Sequence, residues 1–172
     1  MTGLQIGPAV VEDAHAVAQL HVSSWQIAYA GIVPHEYLAS LSVAARESMW
    51  RASILSGSSA LVLAKEDSSA VGFVSFGKSR DPDAGETVGE IWAIYVSPSH
   101  WSRGVGRSLW LYAREQLRSQ GFERVSLWVL ADNERAIRFY TLVGFMPEPG
   151  SKQQIVRGGK TLQEVRYSVA LT

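Results

Sequence analysis

The most constraining part of the sequence is the stretch Ile94–Leu109, where an apolar segment is followed by a turn and a glycine-containing loop. The apolar residues predict a strand, Pro98 marks the turn, and a helix is expected to open near Gly104. Amides at the start of such a helix are unpaired and carry partial positive charge, and glycine lets a ligand approach the backbone. With Arg103 and Arg107 beside this loop, the segment indicates binding of a phosphorylated ligand.

The composition favours one soluble globular domain over residues 1–172. Of the 172 residues, 47% are hydrophobic and 19% are charged, which suffices for a buried core. Sixteen basic and sixteen acidic side chains cancel, so we expect no nucleic-acid partner. The chain has no cysteine, which excludes disulfides, thiolate metal sites and a cysteine nucleophile. We recognise no membrane-spanning segment and no export signal, so we expect no membrane partner and a cytoplasmic location.

The order of the predicted elements is that of a mixed α/β protein. Helical periodicity runs from Val11 to Ala30 and, after Pro34, through a second region that reaches Leu55. Two apolar segments around the turn-forming stretch Glu66–Ser69 predict a hairpin, and strands then alternate with helices. The predicted strands are Leu4–Ala9, Ala60–Ala64, Ala70–Phe76, Val88–Val96, Arg124–Leu130, Gln153–Arg157 and Leu162–Ala170, and the later helices are Val105–Gln120 and Asn133–Val143.

Two common phosphate-binding motifs do not fit the glycine loop. A dinucleotide-binding loop requires a third glycine three residues after Gly106, and Leu109 occupies that position. A P-loop ends in Gly-Lys-Ser or Gly-Lys-Thr, and the sequence contains neither. A short Gly-x-Gly string is by itself a weak signal, so the ligand has to be identified from other parts of the chain.

The segment Leu127–Phe145 indicates which phosphorylated ligand the glycine loop binds. Together with Val96-x-Pro98 and the run Arg103–Gly106, it resembles the GNAT superfamily of acetyl-CoA-dependent N-acetyltransferases. The resemblance implies a single-domain mixed sheet of about seven strands, mostly antiparallel with a central parallel pair, flanked by about four helices. It also implies acetyl-CoA as cosubstrate and transfer of its acetyl group to a primary amine of a small molecule, by direct attack in a ternary complex.

The sequence departs from the family pattern at two loop positions. Trp101 stands where the family often has Arg or Gln, and Ser102 replaces a common glycine. Because the cradle is built from backbone amides, we expect it to persist, with Arg103 or Arg107 carrying more of the phosphate contact. By resemblance, backbone groups of the strand bind the pantetheine arm as an added strand would. The residues implied in cofactor binding are Ile94, Tyr95, Val96, Arg103, Gly104, Val105, Gly106, Arg107, Ser108, Asn133 and Tyr140.

The resemblance makes Tyr140 the acid that protonates the departing CoA thiolate. Asn133 and Tyr140 are seven residues apart, so they share a helix stripe about 10 Å long, which suits two contacts along one extended ligand. Asn133 is also a favourable helix N-cap, and Tyr140 could equally be a tyrosine at the edge of the core. Glu90 is a candidate general base in an otherwise apolar strand, with an exposed carboxylate or a water chain as the alternatives.

The acceptor side is weakly encoded. Trp25 and Tyr29 fall on one stripe of the first helix, a pattern more typical of core than of a pocket. The resemblance places the acceptor groove between the first helices and the loop after the third strand, and no cluster has the spacing of a metal site. The candidate substrate-binding residues are therefore Trp25, Tyr29, His35, Arg80 and Trp92, and we expect no metal.

Other functions remain open at this point. One alternative is an acetyl-CoA-sensing module without transfer, although such a module would need neither Glu90 nor Tyr140. Another is an acetyltransferase acting on a protein N-terminus or an aminoacyl-tRNA, of which the neutral charge disfavours tRNA. The sequence fixes neither the acceptor amine nor the oligomeric state, and the resemblance leaves a homodimer open.

Overall fold

The computed structural model describes residues 3–172, and its strands form one sheet in the order β1-β2-β3-β4-β5-β8-β6, with β7 paired to β8. Neighbouring strands run antiparallel except for β4 and β5, the expected central parallel pair. The strands are β1 (Gln5–Pro8), β2 (Ala60–Glu66), β3 (Ser69–Lys78), β4 (Val88–Val96), β5 (Arg124–Leu130), β6 (Met146–Pro147), β7 (Gln153–Arg157) and β8 (Lys160–Ala170).

Helices cover both faces of this sheet. On one face α4 and α5 bury the larger core cluster, and on the other α1 and α3 bury a second cluster. The apolar stripe of α4, formed by Val105, Leu109, Ala113 and Leu117, is at most 4% exposed, as its helical spacing predicts. The helices are α1 (Ala14–Ala28), α2 (His35–Ala39), α3 (Val43–Ser56), α4 (Val105–Ser119) and α5 (Glu134–Leu142). Among the described residues, no helix is long and apolar enough to cross a membrane.

The element counts differ from the expected seven strands and four helices. The second helical region is two helices, because Ser42 accepts a hydrogen bond from the Ala45 amide at 3.1 Å and starts α3 as a new helix. The added strand, β6, has only two residues, which is too short to show a periodicity in the sequence. Neither change affects the order of the elements around the central pair.

The central parallel pair separates after three rungs. β4 and β5 are paired only where Val88–Glu90 face Arg124–Ser126, whereas β4 stays paired with β3 as far as Val96. A bulge in β4 at Trp92 interrupts its register with β3 between Ser75 and Phe76. The two central strands therefore form a fork that leaves a gap in the sheet.

Candidate active site

A cleft of about 730 Å³ occupies the fork between β4 and β5. Its remaining walls come from the start of α4, from α5 and from the end of α1. This volume lies in the usual range for small-molecule and cofactor sites. Of the residues that the sequence proposes, those lining the cleft are Tyr29, Trp92, Ile94, Tyr95, Val96, Gly104, Val105, Gly106, Arg107, Asn133 and Tyr140.

The β4 side of the fork offers backbone groups to a ligand. Beyond Glu90, the edge of β4 that faces β5 has no strand partner within residues 3–172, although Ile94, Tyr95 and Val96 remain bonded to β3 on the other edge. Buried backbone donors and acceptors are normally paired, so an extended ligand that adds to this edge would satisfy them.

The start of α4 forms a cradle of backbone amides. Gly104 precedes the helix at φ +84°, and the Ser108 amide donates to the Gly104 carbonyl at 3.0 Å, so the earlier amides of the helix are left for a ligand. Gly106 is needed for space, because a Cβ there would lie 3.2 Å from the Phe139 ring. The predicted helix start is therefore formed after Gly104, and its binding of an anion stays a prediction.

Three arginines give this end of the cleft a positive charge. Arg107, Arg135 and Arg138 line it, and in the part of the chain that the structure describes none of them pairs with a carboxylate. Burial lowers the pKa of Arg135 from its usual value, although the guanidinium stays charged at neutral pH. Uncompensated cations beside free amides are suited to phosphate groups.

Trp101 and Arg135 form a stacked pair at the mouth of the cradle. The Trp101 indole donates from Nε1 to the Val96 carbonyl at 2.8 Å, which fixes the ring against the end of β4. The Arg135 guanidinium lies over that ring, 3.1 Å from its centre. The family's usual Arg or Gln is missing at position 101, but a guanidinium supplied by α5 lies over the ring that replaces it.

Three tyrosines line the cleft. The hydroxyls of Tyr29 and Tyr95 are 3.3 Å apart, and Tyr140 on α5 packs against Phe139 and Phe145. Burial is the main cause that raises the pKa of each of the three phenols above its usual value. All three hydroxyls therefore keep their protons at neutral pH, as a proton donor must.

Glu90 has contacts that the base hypothesis does not require. Its side chain is 3% exposed, its Oε2 accepts from the Arg80 amide at 3.0 Å, and its Oε1 accepts from Arg80 Nε at 3.1 Å and from Nη2. Neither Glu90 nor Arg80 lines the cleft; Arg80 instead packs on Trp92, which does. A catalytic role for Glu90 stays a prediction, and its position behind the cleft wall is what the structure adds.

Some proposed residues lie outside the cleft lining. Arg103 points to Glu66 at 3.5 Å, Ser108 lies within α4, and His35 is exposed at the start of α2. Trp25 packs edge-on behind Tyr29, with ring centres 4.9 Å apart. The Asn133 side chain caps α5 by accepting from the Ala136 amide at 3.2 Å, and the residue also lines the cleft, so both of its predicted roles remain compatible.

Several residues that line the cleft have no predicted role in binding or catalysis. Trp128 on β5 and Ser24 on α1 line the cleft, as does Arg138 on α5. Ser24 is 2% exposed, and within residues 3–172 neither its hydroxyl nor the Trp25 indole nitrogen has a hydrogen-bond partner. Trp128 and Arg138 fall within the segment that carries the family resemblance, but no sequence pattern joins them to Ser24, because only the fork in the sheet brings the three residues together.

Comparison with known proteins agrees with this geometry. Residues 16–145 match the family model described as Acetyltransferase (GNAT) family. The chain belongs to the GNAT acetyltransferase family. The uncharacterized N-acetyltransferase YuaI of Bacillus subtilis (strain 168) is 34% identical over 157 residues, which cover 91% of this chain and 87% of YuaI.

Solved structures share the whole fold of this GNAT chain. An N-acetyltransferase from Staphylococcus aureus Mu50 superposes with a TM-score of 0.79 at 18% identity, covering 99% of this chain and 100% of that one. The acetyltransferase yncA from Salmonella typhimurium, solved with its cofactor acetyl-CoA, gives 0.75 at 22% identity, covering 98% and 94%. The mixed sheet is therefore a GNAT fold, in a chain that belongs to an acetyltransferase family.

Proposed function

We propose that this GNAT protein transfers the acetyl group of acetyl-CoA to the primary amine of a small molecule, in a ternary complex formed in the cleft between β4 and β5. The observation that carries this proposal is the joining of three features in one cleft: an amide cradle with free guanidiniums, an unpaired strand edge, and the partly buried phenol of Tyr140. A sensor would need the cradle but would have no use for the phenol.

The residues of the cleft fit acetyl-CoA from end to end. The α4 amides with Arg107, Arg135 and Arg138 would hold its phosphates. The free edge of β4 from Ile94 to Val96 would pair with the pantetheine arm, and Asn133 would contact the same arm. When bound, acetyl-CoA supplies a thioester whose acetyl carbon can accept a nucleophile.

Tyr140 supplies the proton that the reaction requires. The acceptor's nitrogen forms the new bond to the acetyl carbon as the carbon–sulfur bond breaks, and the Tyr140 hydroxyl gives its proton to the sulfur. The proton that the nitrogen loses then restores the Tyr140 hydroxyl, so the charges balance over one cycle. Because the chain has no cysteine, it cannot form an acetyl-cysteine intermediate, which favours direct attack of the amine on acetyl-CoA.

The acceptor would enter from the α1 side of the cleft. Ser24, Ala28 and Tyr29 line this end, together with the indoles of Trp92 and Trp128. The Ser24 hydroxyl is buried and has no hydrogen-bond partner in the described chain. A polar group of the acceptor could therefore bond to it without breaking an existing hydrogen bond.

A thiol-release assay over a panel of amines tests the proposal. Purified protein is mixed with acetyl-CoA and, in turn, amino acids, arylalkylamines, polyamines, aminoglycosides and peptides, and each product mass is measured. We expect an N-acetylated small amine in amounts equal to the thiol released.

The other functions give different outcomes of the same assay. Tight acetyl-CoA binding without thiol release for any amine would instead indicate a sensor. Acetylation of peptide N-termini alone, or an activity on aminoacyl-tRNA that falls steeply with salt, would contradict a small-molecule acceptor.

A further inference from the structure

Two indoles, Trp92 and Trp128, face the cleft where the fork begins. The last paired rung joins Glu90 to Ser126, and each indole lies two residues beyond it on its own strand. Val125, Leu127 and Val129 pack in the core under α4, so the alternating residue Trp128 belongs to the opposite sheet face. Trp92 reaches Gly77 and Arg80, beside that same opposite face. We call these two residues the indole pair.

The first indole is held by Arg80. The guanidinium of Arg80 lies 4.4 Å from the centre of the Trp92 ring, and Trp92 Nε1 donates to the Lys78 carbonyl at 3.3 Å. Arg80 is in turn held by Glu90 through its side chain and its backbone amide. The buried carboxylate of Glu90 thus fixes the ring through an intermediate cation.

The second indole is held by the next residue along the chain. The Asp81 carboxylate accepts from Trp128 Nε1 at 3.0 and 3.2 Å, and it also accepts from Arg166 Nη1 at 3.3 Å. Arg166 lies over Trp128 at 5.5 Å and bonds Asp83 and Glu148 as well. Two consecutive residues of the loop between β3 and β4 therefore fix one ring on each arm of the fork.

We propose that the indole pair is the binding slot for the body of the acceptor, and that the acceptor is a primary amine with an apolar aromatic body. This inference rests on the small-molecule function proposed above. Arg80, Asp81 and Glu90 are positioning residues of the slot, acting through the rings that they hold. The resemblance already implies Trp92 and Arg80 on the acceptor side, and the structure adds Trp128 and the contacts that hold the two rings.

The charges around the slot favour this class over polyamines. Within residues 3–172, no carboxylate lines the cleft. Both carboxylate oxygens of Glu90 accept hydrogen bonds from Arg80. The carboxylates of Asp81, Asp83 and Glu148 all accept hydrogen bonds from Arg166. A second ammonium group would find no free anion in the cleft, whereas an aromatic ring would contact indoles with restrained positions.

The matched test compares 2-phenylethylamine with 1,5-diaminopentane as acceptors. We expect kcat/KM to be at least about tenfold higher for 2-phenylethylamine, because it alone places a ring against the indoles. Trp128→Leu should raise the KM for 2-phenylethylamine by about tenfold with a smaller change in kcat, and it should leave the Kd of CoA unchanged. Glu86→Gln on the same loop, whose carboxylate is exposed and paired with Lys78, is the control and should match the wild type.

Glu90→Gln separates positioning from base catalysis. As a positioning residue, Glu90 affects the acceptor's KM and leaves the pH dependence of kcat/KM in place. Loss of the limb of that profile that rises with pH would instead identify Glu90 as the base and overturn its positioning role.

A calorimetric titration measures ligand binding to the slot and so tests it independently of turnover. N-acetyl-2-phenylethylamine is titrated into the CoA complex of the wild type and of Trp128→Leu. Tighter binding to the wild type supports the slot even if no amine in the panel is acetylated, an outcome that would defeat the proposed function alone. Equal binding to the two proteins, or a diamine used as well as 2-phenylethylamine, overturns the slot and leaves the function standing.

Discussion

At the scale of single residues, burial sets the chemistry of the cleft. Tyr140 and Tyr95 lie among aromatic side chains, and desolvation raises the pKa of both phenols. A phenol whose pKa is raised remains protonated across the physiological range, which is the state that the proposed donation to the CoA thiolate requires. Deprotonation of the incoming ammonium group is left to another group or to water.

Tyr140→Phe should therefore keep the cofactor and lose turnover. We expect kcat to fall by about 10²-fold or more, the usual range for a general acid, with the Kd of acetyl-CoA within about twofold of the wild type. Steady-state rates and calorimetry measure the two quantities. Tyr112→Phe, on α4 and outside this cleft, is the control, and an unchanged kcat in Tyr140→Phe would remove the acid role.

Arg135 should act on the nucleotide end of the cofactor alone. Because its guanidinium has no acidic partner in the described chain and is stacked on Trp101, Arg135→Ala should weaken CoA binding by about tenfold. S-acetylpantetheine has no pyrophosphate, so its KM should stay as in the wild type. Equal losses for CoA and S-acetylpantetheine would show that Arg135 supports the fold rather than the phosphates.

At the scale of elements, α2 packs against the hairpin formed by β7 and β8. Gly158, in the turn between β7 and β8, has φ +58°, and a Cβ there would lie 2.6 Å from Tyr37 Cβ on α2. Lys160 also donates to the Ile32 carbonyl at 3.0 Å, which joins this hairpin to the segment between α1 and α2. The packing of α2 against this hairpin thus depends on the close approach of Tyr37 to a single glycine.

Two neighbouring glycines allow this contact to be measured. Gly159 also has a positive φ, of +78°, but a Cβ at Gly159 meets nothing within 4 Å. Gly159→Ala should cost about 1–2 kcal/mol of backbone strain, which is a Tm decrease of roughly 2–8 °C in a chain of this size. Gly158→Ala adds the clash with Tyr37 and should lower the Tm further; equal Tm values for both variants would contradict the contact.

The packing of α1 against α3 makes stability depend on pH. Burial, and secondarily the Arg46 charge, lowers the pKa of His21 to about 4, and its Nδ1 accepts from Trp50 Nε1 at 3.1 Å. The unfolded chain binds a proton at His21 more tightly than the folded chain does. The contribution of neutral His21 to the free energy of unfolding is therefore complete above about pH 6.5 and is lost as the pH falls toward 4. Between pH 7.5 and 4.5 the loss should be roughly 2.5 kcal/mol.

Urea unfolding of His21→Gln tests this dependence, because the glutamine amide oxygen still offers an acceptor to Trp50. Between pH 7.5 and 4.5, the free energy of unfolding of the variant should fall by roughly 2.5 kcal/mol less than that of the wild type. His15→Gln, with an exposed imidazole paired to Glu47, is the control. Identical pH dependence in the wild type and His21→Gln would show that His21 titrates normally.

The elements were largely readable from the sequence, and the contacts across the cleft were not. Periodicity and glycine punctuation located β4, α4 and β5 because each is long and has one buried face. The partner of Glu90 was hidden, since Arg80 lies ten residues away across a loop and no pattern encodes that pairing. Trp128 was missed for a similar reason: its strand reads as apolar, and only the separation of β4 and β5 exposes its ring.

At the scale of the whole molecule, one break in the sheet organises the site. Six of the seven strand pairings are antiparallel, and the parallel pair separates after three rungs. The separation places the amide cradle at one end of a cleft and the indole pair at its origin. The proposed ternary complex uses both ends of this cleft, and Tyr140 is among the residues that line it.

Binding of acetyl-CoA in this cleft predicts that the cofactor raises the thermal stability of the chain. Acetyl-CoA at about 100 times its Kd should stabilise the folded chain by about 2.7 kcal/mol, which raises the Tm by roughly 5–10 °C. The Tm of Gly106→Leu, whose side chain would fill the cradle beside Phe139, should respond much less. A wild-type Tm that does not respond to acetyl-CoA would contradict cofactor binding, and an equal response in Gly106→Leu would place the cofactor outside the cradle.

The most direct test of the central claim is the initial-rate pattern with both substrates varied. For the best amine in the panel, direct transfer in a ternary complex predicts reciprocal plots that intersect, and no acetylated protein when acetyl-CoA is supplied alone. Parallel plots together with an acetyl group retained on the protein, detected by its intact mass, would contradict transfer within a single cleft.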